Sequence, residues 1–261
     1  MPGIIFFDID GTIWDSKMQI PQSTKEAFSL LRQSGHKTFL CSGRARGNIL
    51  SEELFNLGVD GVIAACGNHI EMDGKILYER ILPGETVKRV IEILRRCHMP
   101  VVLEGPKNHW IDEKGFEDDP YVDYLYMQMG KTALPLKEYS DDILINKFSA
   151  DIIADTDYET VKKELGDEFD LLEHDGNVVE FIPKGTSKAT GIDWLCNYLK
   201  IEHDKTYAIG DSINDLQMLE SVAHGIAMGN GTKVAQEAAE YVTTDIHNDG
   251  IYNAMKHYGL I

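Results

Sequence analysis

Short apolar runs alternate with stretches of helical period along most of this chain. Residues 4–7, Ile-Ile-Phe-Phe, form a continuous apolar run of the kind that strands buried on both faces carry. Residues 22–33 then read as a helix stopping near Gly35, residues 38–41 as a second strand, and residues 48–57 as a helix closed by Gly58. A third strand is predicted at 62–65. Beyond it, residues 70–72 and 76–78 flank Asp73-Gly74, a hairpin signal. The alternation resumes late in the chain, with a helix at 187–199, a strand at 206–209, a helix from Asp215 and a short strand at 225–227. Strands alternating with helices predict βα units and a parallel sheet.

Between these two blocks the pattern changes. A helix at 85–96 leads to strand-like residues 100–104. A polar, aromatic and acidic stretch follows, with Trp110, Tyr121, Tyr124 and Glu117-Asp118-Asp119, and a further strand lies at 178–182. The expected organisation is a Rossmann-like, doubly wound α/β core made of residues 1–83 and 184–261, interrupted by an inserted α+β domain at 84–183.

Composition narrows the function classes. Asp and Glu number 43 against 25 Lys and Arg, a formal net charge of −18, and no basic cluster interrupts it. Such a surface repels nucleic acid and anionic membrane, so neither is expected as a partner. No run approaches the roughly 18 apolar residues of a membrane helix, and the first residues lack the basic start of a signal peptide, so a cytoplasmic protein is expected. Cys41, Cys66, Cys97 and Cys196 are scattered without a C-x-x-C pair, which argues against a zinc cage or a disulfide framework.

The chemistry concentrates at strand ends. Asp8 and Asp10 directly follow the first strand in Asp8-Ile9-Asp10-Gly11-Thr12, and Asp211 and Asp215 follow the 206–209 strand. Ligands of open parallel sheets collect at the carboxyl ends of strands. Asp-Gly alone is a common turn dipeptide, and Asp215 alone could be a helix cap. Two acid pairs at two strand ends are a concentration of negative charge that a hard cation would relieve, and Mg2+ is the natural occupant when phosphate is the partner. Ser42-Gly43-Arg44, after the second strand, offers a hydroxyl and backbone N–H groups for an anion, or is simply a turn. Lys188 stands in the first turn of a predicted helix, where a cation opposes the helix dipole; this misfit hints at an anionic partner. Lys184 reads as a solvated surface residue.

Taken together and in this order, Asp8-x-Asp10-Gly-Thr12, Ser42-Gly43-Arg44, Lys188 and Gly210-Asp211-Ser-x-Asn214-Asp215 resemble the haloacid dehalogenase-like superfamily of phosphatases. The insert resembles the large cap of its Cof-type branch, and the stretch 227–231 and Asp249-Gly250 are further similar features. The resemblance implies a hydrolase of a small phosphorylated metabolite, with sugar phosphates favoured. Asp8 would be the nucleophile forming an aspartyl-phosphate and Asp10 the general acid and base. Asp8, the Asp10 backbone carbonyl and Asp211 would hold Mg2+, with Asp215 behind them supporting the metal and Lys188. Thr12, Ser42, Gly43, Lys188 and Asn214 would contact the phosphoryl group. Glu104, His109, Tyr121 and Tyr124 are expected to face the substrate from the cap, which would exclude water. A phosphotransferase or mutase, and a non-catalytic protein that binds a phosphorylated ligand, are the competing readings. Cys66-Gly67-Asn68-His69 departs from the pattern of many relatives, and Trp14 is a bulky residue just past the catalytic loop, expected to pack on the core.

Overall fold

The computed structural model describes residues 2–112, 114, 120–174 and 177–261. In chain order the elements are β1 (Ile4–Phe7), α1 (Gln22–Gln33), β2 (Lys37–Cys41), α2 (Glu52–Asn56), β3 (Gly61–Ala64), β4 (His69–Met72), β5 (Lys75–Glu79) and α3 (Gly84–Arg96). These are followed by β6 (Val101–Glu104), β7 (His109–Ile111), α4 (Pro120–Met129), β8 (Ala133–Pro135), β9 (Lys147–Asp151), α5 (Tyr158–Leu165), β10 (Phe169–Glu173) and β11 (Val178–Pro183). The chain closes with α6 (Lys188–Leu199), β12 (Thr206–Gly210), α7 (Leu216–Ser221), β13 (His224–Ala227), α8 (Lys233–Ala238), β14 (Tyr241–Val242) and α9 (Gly250–His257).

Two compact units result: Met1–Gly43, Ser51–Glu79 and Ser187–Ile261 form the first, and Arg44–Leu50 with Arg80–Thr186 the second. In the first unit the sheet order is β14-β13-β12-β1-β2-β3-β4-β5, parallel from β14 through β3 and antiparallel in the β4–β5 edge hairpin. The chain builds outward from β1 through β2 and β3, then returns to the other side of β1 with β12. The sheet therefore has its switch point between β1 and β12, where the ends of two adjacent strands diverge into a crevice. Both faces are covered. Ile4 and Phe6 join Ile192 and Leu195 of α6 and Met218 and Leu219 of α7 in one core, while the Phe7 ring packs 4.5 Å from that of Phe28 on α1. Alternate residues of β1 thus serve opposite layers, which is why the strand reads as uninterrupted apolar sequence.

Two predicted elements need correction. The expected helix at 48–57 is broken: Arg46–Asn48 make a 3-10 turn, Ile49 leaves helical geometry at φ −104°, ψ 81°, and α2 begins only at Glu52. The reason is that the chain passes from the second unit to the first between Leu50 and Ser51, so one continuous helix could not serve both. The third strand stops at Ala64, one residue early, because Ala65 and Cys66 take left-handed φ of 51° and 52°. Gly67 continues that turn at φ 86°, and a Cβ there would lie 2.3 Å from the Ser187 carbonyl oxygen. The unusual segment after β3 thus brings backbone against the start of α6, the helix that carries Lys188.

The second unit is a sheet of order β10-β11-β9-β6-β7-β8, antiparallel except for β7 with β8. One face is apolar: Val101, Leu103, Phe148, Ala150, Val179 and Phe181 pack with α3 and α5 through Val87, Leu94, Val161 and Leu165. The two-residue period places Glu104, Lys147, Ser149 and Glu180 on the other face. The acidic cluster Glu117-Asp118-Asp119 lies outside the described residues.

The edge hairpin of the first unit holds a buried charge. His69 faces Glu79 across the β4–β5 pair and shares a face with Glu71 two residues on; its Nδ1 is 3.0 Å from Glu79 and its Nε2 3.3 Å from Glu71. Burial alone would lower the imidazole pKa, but the hydrogen bonds to the two carboxylates outweigh it and raise the pKa to about 9. The folded-state value lies above the unfolded one, so this stabilisation is complete below about pH 6.5 and is lost as pH rises through about 9. It amounts to roughly 3 kcal/mol. Urea denaturation should therefore show a large wild-type advantage over His69→Gln at pH 6.5, and a difference that shrinks by most of that amount at pH 10.

Candidate active site

The switch point brings the predicted carboxylates together. Phe7 pairs with Ile209, and the Asp8 N–H donates to the Ile209 carbonyl at 2.9 Å, which extends the β1–β12 ladder one residue and sets Asp8 beside the loop that begins at Gly210. Asp8 is 3% exposed. The Asp8, Asp211 and Asp215 carboxylates each offer an oxygen within 4.8 Å of the others.

Lys188 enters this nest from α6. Ser187 and Thr190 cap the helix reciprocally: the Thr190 N–H donates to Ser187 Oγ at 3.2 Å and the Ser187 N–H to Thr190 Oγ1 at 2.9 Å. That cap fixes Lys188 as the first helical residue, with its side chain 1% exposed. The amine donates to Asp8 Oδ1 and to Asp215 Oδ1, both at 2.5 Å. Burial alone would lower the amine's pKa; Asp215 and Asp8 together outweigh this and hold it well above the usual lysine range, so it stays charged. The dipole misfit seen in the sequence is thereby resolved by two buried anions.

Asp215 is fully engaged. Its Oδ1 accepts from Lys188, and its Oδ2 accepts from the N–H groups of Asp211 at 2.9 Å and Ser212 at 3.0 Å. With both oxygens committed, Asp215 orients Lys188 and the Asp211 loop, which leaves Asp8 and Asp211 as the carboxylates best disposed toward a cation.

Thr12, expected among the substrate contacts, is 0% exposed, and its hydroxyl donates to Asp211 Oδ1 at 3.4 Å. It holds a carboxylate in place. Gly11 sits at φ 78°, and a Cβ there would come within 2.3 Å of Asp211 Oδ2, so only glycine lets the two acidic loops approach this closely.

The charge balance leaves a deficit. Three carboxylates face one ammonium; burial, then Asp215, push Asp8 well above the usual carboxylate range, and the same causes push Asp211 up to about 7. Hard oxygen donors with uncompensated negative charge fit a divalent cation such as Mg2+.

Residues 5–255 match the model of the haloacid dehalogenase-like hydrolases. The chain belongs to this family. It is 32% identical to YkrA of Bacillus subtilis (strain 168) over 259 residues, 99% of this chain and 98% of that one. It is 27% identical over 273 residues to 5-amino-6-(5-phospho-D-ribitylamino)uracil phosphatase YitU of the same organism, covering 98% of this chain and 97% of the other. Among solved structures, the subclass IIB sugar phosphatase BT4131 superposes with a TM-score of 0.83 at 27% identity, covering 99% of this chain and all of the other. Like these relatives, this haloacid dehalogenase-like protein is a phosphoric monoester hydrolase. Among the described residues no helix is long and apolar enough to cross a membrane.

Phe7 pairs with Leu40, so Ser42 stands just beyond the position of Asp8 on the neighbouring strand. Its N–H donates to the Ile63 carbonyl at 2.9 Å and its carbonyl accepts from the Cys66 N–H at 3.2 Å, so its backbone is held by the sheet. Asn214 accepts from the Ser212 hydroxyl at 2.6 Å. Asp10 is exposed, and its Oδ1 accepts the Trp14 indole N–H at 2.9 Å. Lys184 is exposed, in line with its reading as a solvated lysine.

One contributor was not singled out from sequence. Asn230, in the loop after β13, donates to the Gly11 carbonyl at 2.8 Å and accepts from the Ile246 N–H at 2.8 Å, tying the loop after β1 to the far edge of the sheet. The same loop closes on Asp211, whose carbonyl accepts from Thr232 at 2.7 Å. The only signal was the stretch 227–231, which carries no chemistry of its own.

In the second unit, Glu104 and Glu180 line a cavity of about 150 Å³ together with Arg44, Gln128 and Ser149. Lys147, 0% exposed, lies 2.9 Å from Glu180 and 3.6 Å from Glu104. His109 is buried with neither ring nitrogen hydrogen-bonded among the described residues; burial and then Lys147 lower its pKa to about 3, keeping it neutral. The Tyr121 and Tyr124 side chains lie outside the described ones.

Removing the amine should unmask the buried carboxylates. Lys188→Met is expected to lose about 3 kcal/mol of stability at pH 8 in urea denaturation. The loss should be smaller at pH 5, where Asp8 can take up a proton, and phosphatase activity should be absent at either pH.

Proposed function

We propose that this protein hydrolyses phosphate esters of a small polyhydroxylated metabolite, a sugar phosphate by preference, through an aspartyl-phosphate on Asp8 and with Mg2+ as cofactor. The observation that carries the reading is the convergence of Asp8, Lys188, Asp211 and Asp215 at one switch point. The substrate class rests on two relatives of nearly full-length coverage, a sugar phosphatase and a phosphatase acting on a phosphorylated ribityl chain.

In the first step a carboxylate oxygen of Asp8 attacks phosphorus in line, and the bond to the leaving oxygen breaks as Asp10 delivers a proton to it. In the second step Asp10 takes a proton from water, the water oxygen attacks phosphorus, and the bond to Asp8 breaks to release phosphate. General acid–base assistance of this kind contributes typically ~10²–10⁴ in rate. Lys188, held charged, stabilises the equatorial phosphoryl oxygens together with the Ser42 hydroxyl and the Gly43 N–H. Asp8, Asp211 and the Asp10 carbonyl would hold Mg2+, which supplies charge neutralisation between the carboxylate and phosphoryl oxygens.

Asp8→Asn should abolish hydrolysis of p-nitrophenyl phosphate in the presence of Mg2+ while leaving the thermal unfolding transition cooperative. Near-normal turnover in that variant would remove Asp8 as the nucleophile. The elevated pKa of Asp211, about 7, gives a second test. Bound Mg2+ must displace protons below this value, so it should raise the melting temperature more at pH 8 than at pH 5.5. Calorimetry near pH 6.5 in buffers of different ionisation enthalpy should show proton release on Mg2+ binding.

A further inference from the structure

The loop after β13 grips both acidic loops of the candidate site from a braced position. The Gly231 N–H closes it by donating to the Met228 carbonyl at 2.9 Å, and Gln236 Nε2 of α8 donates to the carbonyls of Gly229 at 3.0 Å and Gly231 at 3.2 Å. On one side its main chain holds the Asp211 loop: the Met228 N–H donates to the Gly210 carbonyl at 2.9 Å and the Thr232 N–H to the Asp211 carbonyl at 2.7 Å. On the other side, Asn230 Nδ2 donates to the Gly11 carbonyl at 2.8 Å while its Oδ1 accepts the Ile246 N–H at 2.8 Å. One partner needs a donor and the other an acceptor, a pair of demands that a side-chain amide meets and a carboxylate or an alkyl group does not.

Gly11 is where that tie acts. Its own N–H donates to the Trp14 carbonyl at 3.0 Å, so the peptide groups on both sides of Gly11 are held, and the first of them carries the Asp10 carbonyl. The Asp211 carboxylate rests on the same segment: its Oδ2 lies 2.3 Å from where a Cβ of residue 11 would stand, and its Oδ1 accepts the Thr12 hydroxyl at 3.4 Å. Carboxylates on the two loops repel one another, and a neutral hydrogen bond from a braced neighbour opposes their separation. Spacing matters to a cation. Mg2+ requires near-octahedral oxygens at about 2.0–2.1 Å, whereas Ca2+ accepts oxygens at about 2.3–2.6 Å in flexible geometry. Resting on the Mg2+-dependent reading above, we propose that Asn230 is a positioning residue for the metal site. By holding Gly11 to the loop that also grips Asp211, it sets the spacing between the Asp10 carbonyl and the Asp211 carboxylate and so favours Mg2+ over the larger Ca2+.

The test is titration calorimetry of the metal-free full chain at pH 8 with MgCl2 and, separately, with CaCl2, on wild type and Asn230→Ala. The Mg2+ Kd should rise about tenfold in the variant, within the range that partners standing behind metal ligands contribute. The Ca2+ Kd should rise less than about threefold, because Ca2+ tolerates a looser donor set. In p-nitrophenyl phosphate hydrolysis, the Mg2+ concentration giving half the maximal rate should rise in step with the Kd, while kcat at saturating Mg2+ stays within about threefold of wild type. Asn230 is exposed, so the variant is expected to fold, which thermal melting of the metal-free protein checks. If Asn230→Ala does not melt cooperatively, Asn230→Ser, too short to reach both partners, carries the same expectation. An unchanged Mg2+ Kd, or equal losses for the two cations, would leave Asn230 a loop tie with no bearing on the metal and overturn the proposal. Wild-type protein that bound neither cation would overturn the Mg2+-dependent reading and this proposal with it, whereas Mg2+ binding without ester hydrolysis would count against the phosphatase reading alone.

Discussion

The site depends on one buried ammonium. Lys188 lies between Asp8 and Asp215 at 2.5 Å from each, with all three side chains essentially removed from water. Isolated charges in such a place are too costly to persist, and each of the three is tolerable only because the others are present. The arrangement fixes the orientation of the Asp8 carboxylate through its bond to the Lys188 amine. It also joins three parts of the chain, the end of β1, the start of α6 and the loop after β12, so that the chemistry and the core sheet form together.

Around this ion group, the loops are held by short-range contacts that carry no reactive atoms. Asp215 gathers the Asp211 and Ser212 N–H groups, Thr12 reaches Asp211, and Asn230 takes the Gly11 carbonyl. The close approach of Gly11 to Asp211 leaves no room for a side chain. The negative charge thus concentrated raises the Asp8 and Asp211 pKa values, and the same concentration makes a divalent cation a natural complement.

The second unit repeats the theme of buried charge for a different end. Glu104, Lys147 and Glu180 come from three neighbouring strands, β6, β9 and β11, and share one sheet face because of strand register. Replacing such a group with apolar side chains is often neutral or stabilising. It lies beside a cavity, on the face left free of α3 and α5.

Many strands and helices of the first unit were legible in the sequence because they satisfy local rules: β1 is apolar throughout, and Asp73-Gly74 turns the edge hairpin, whereas α8, β14 and α9 carried no signal that was read. The acids were legible too, since a carboxylate pair after a buried strand has few structural uses. What the sequence could not reveal were outcomes of long-range placement. The break in the expected helix at 48–57 follows from the chain changing units, and the early end of β3 from the tight approach of Gly67 to Ser187. The engagement of both Asp215 oxygens, the inward turn of Thr12, the tie from Asn230 and the indole bond to Asp10 each join groups whose meeting is set by folded geometry. Local sequence determines which elements form and which residues are chemically able. Only the packed sheet decides which of them meet, because hydrogen bonds and ion pairs depend on separations of a few ångströms that no spacing along the chain encodes.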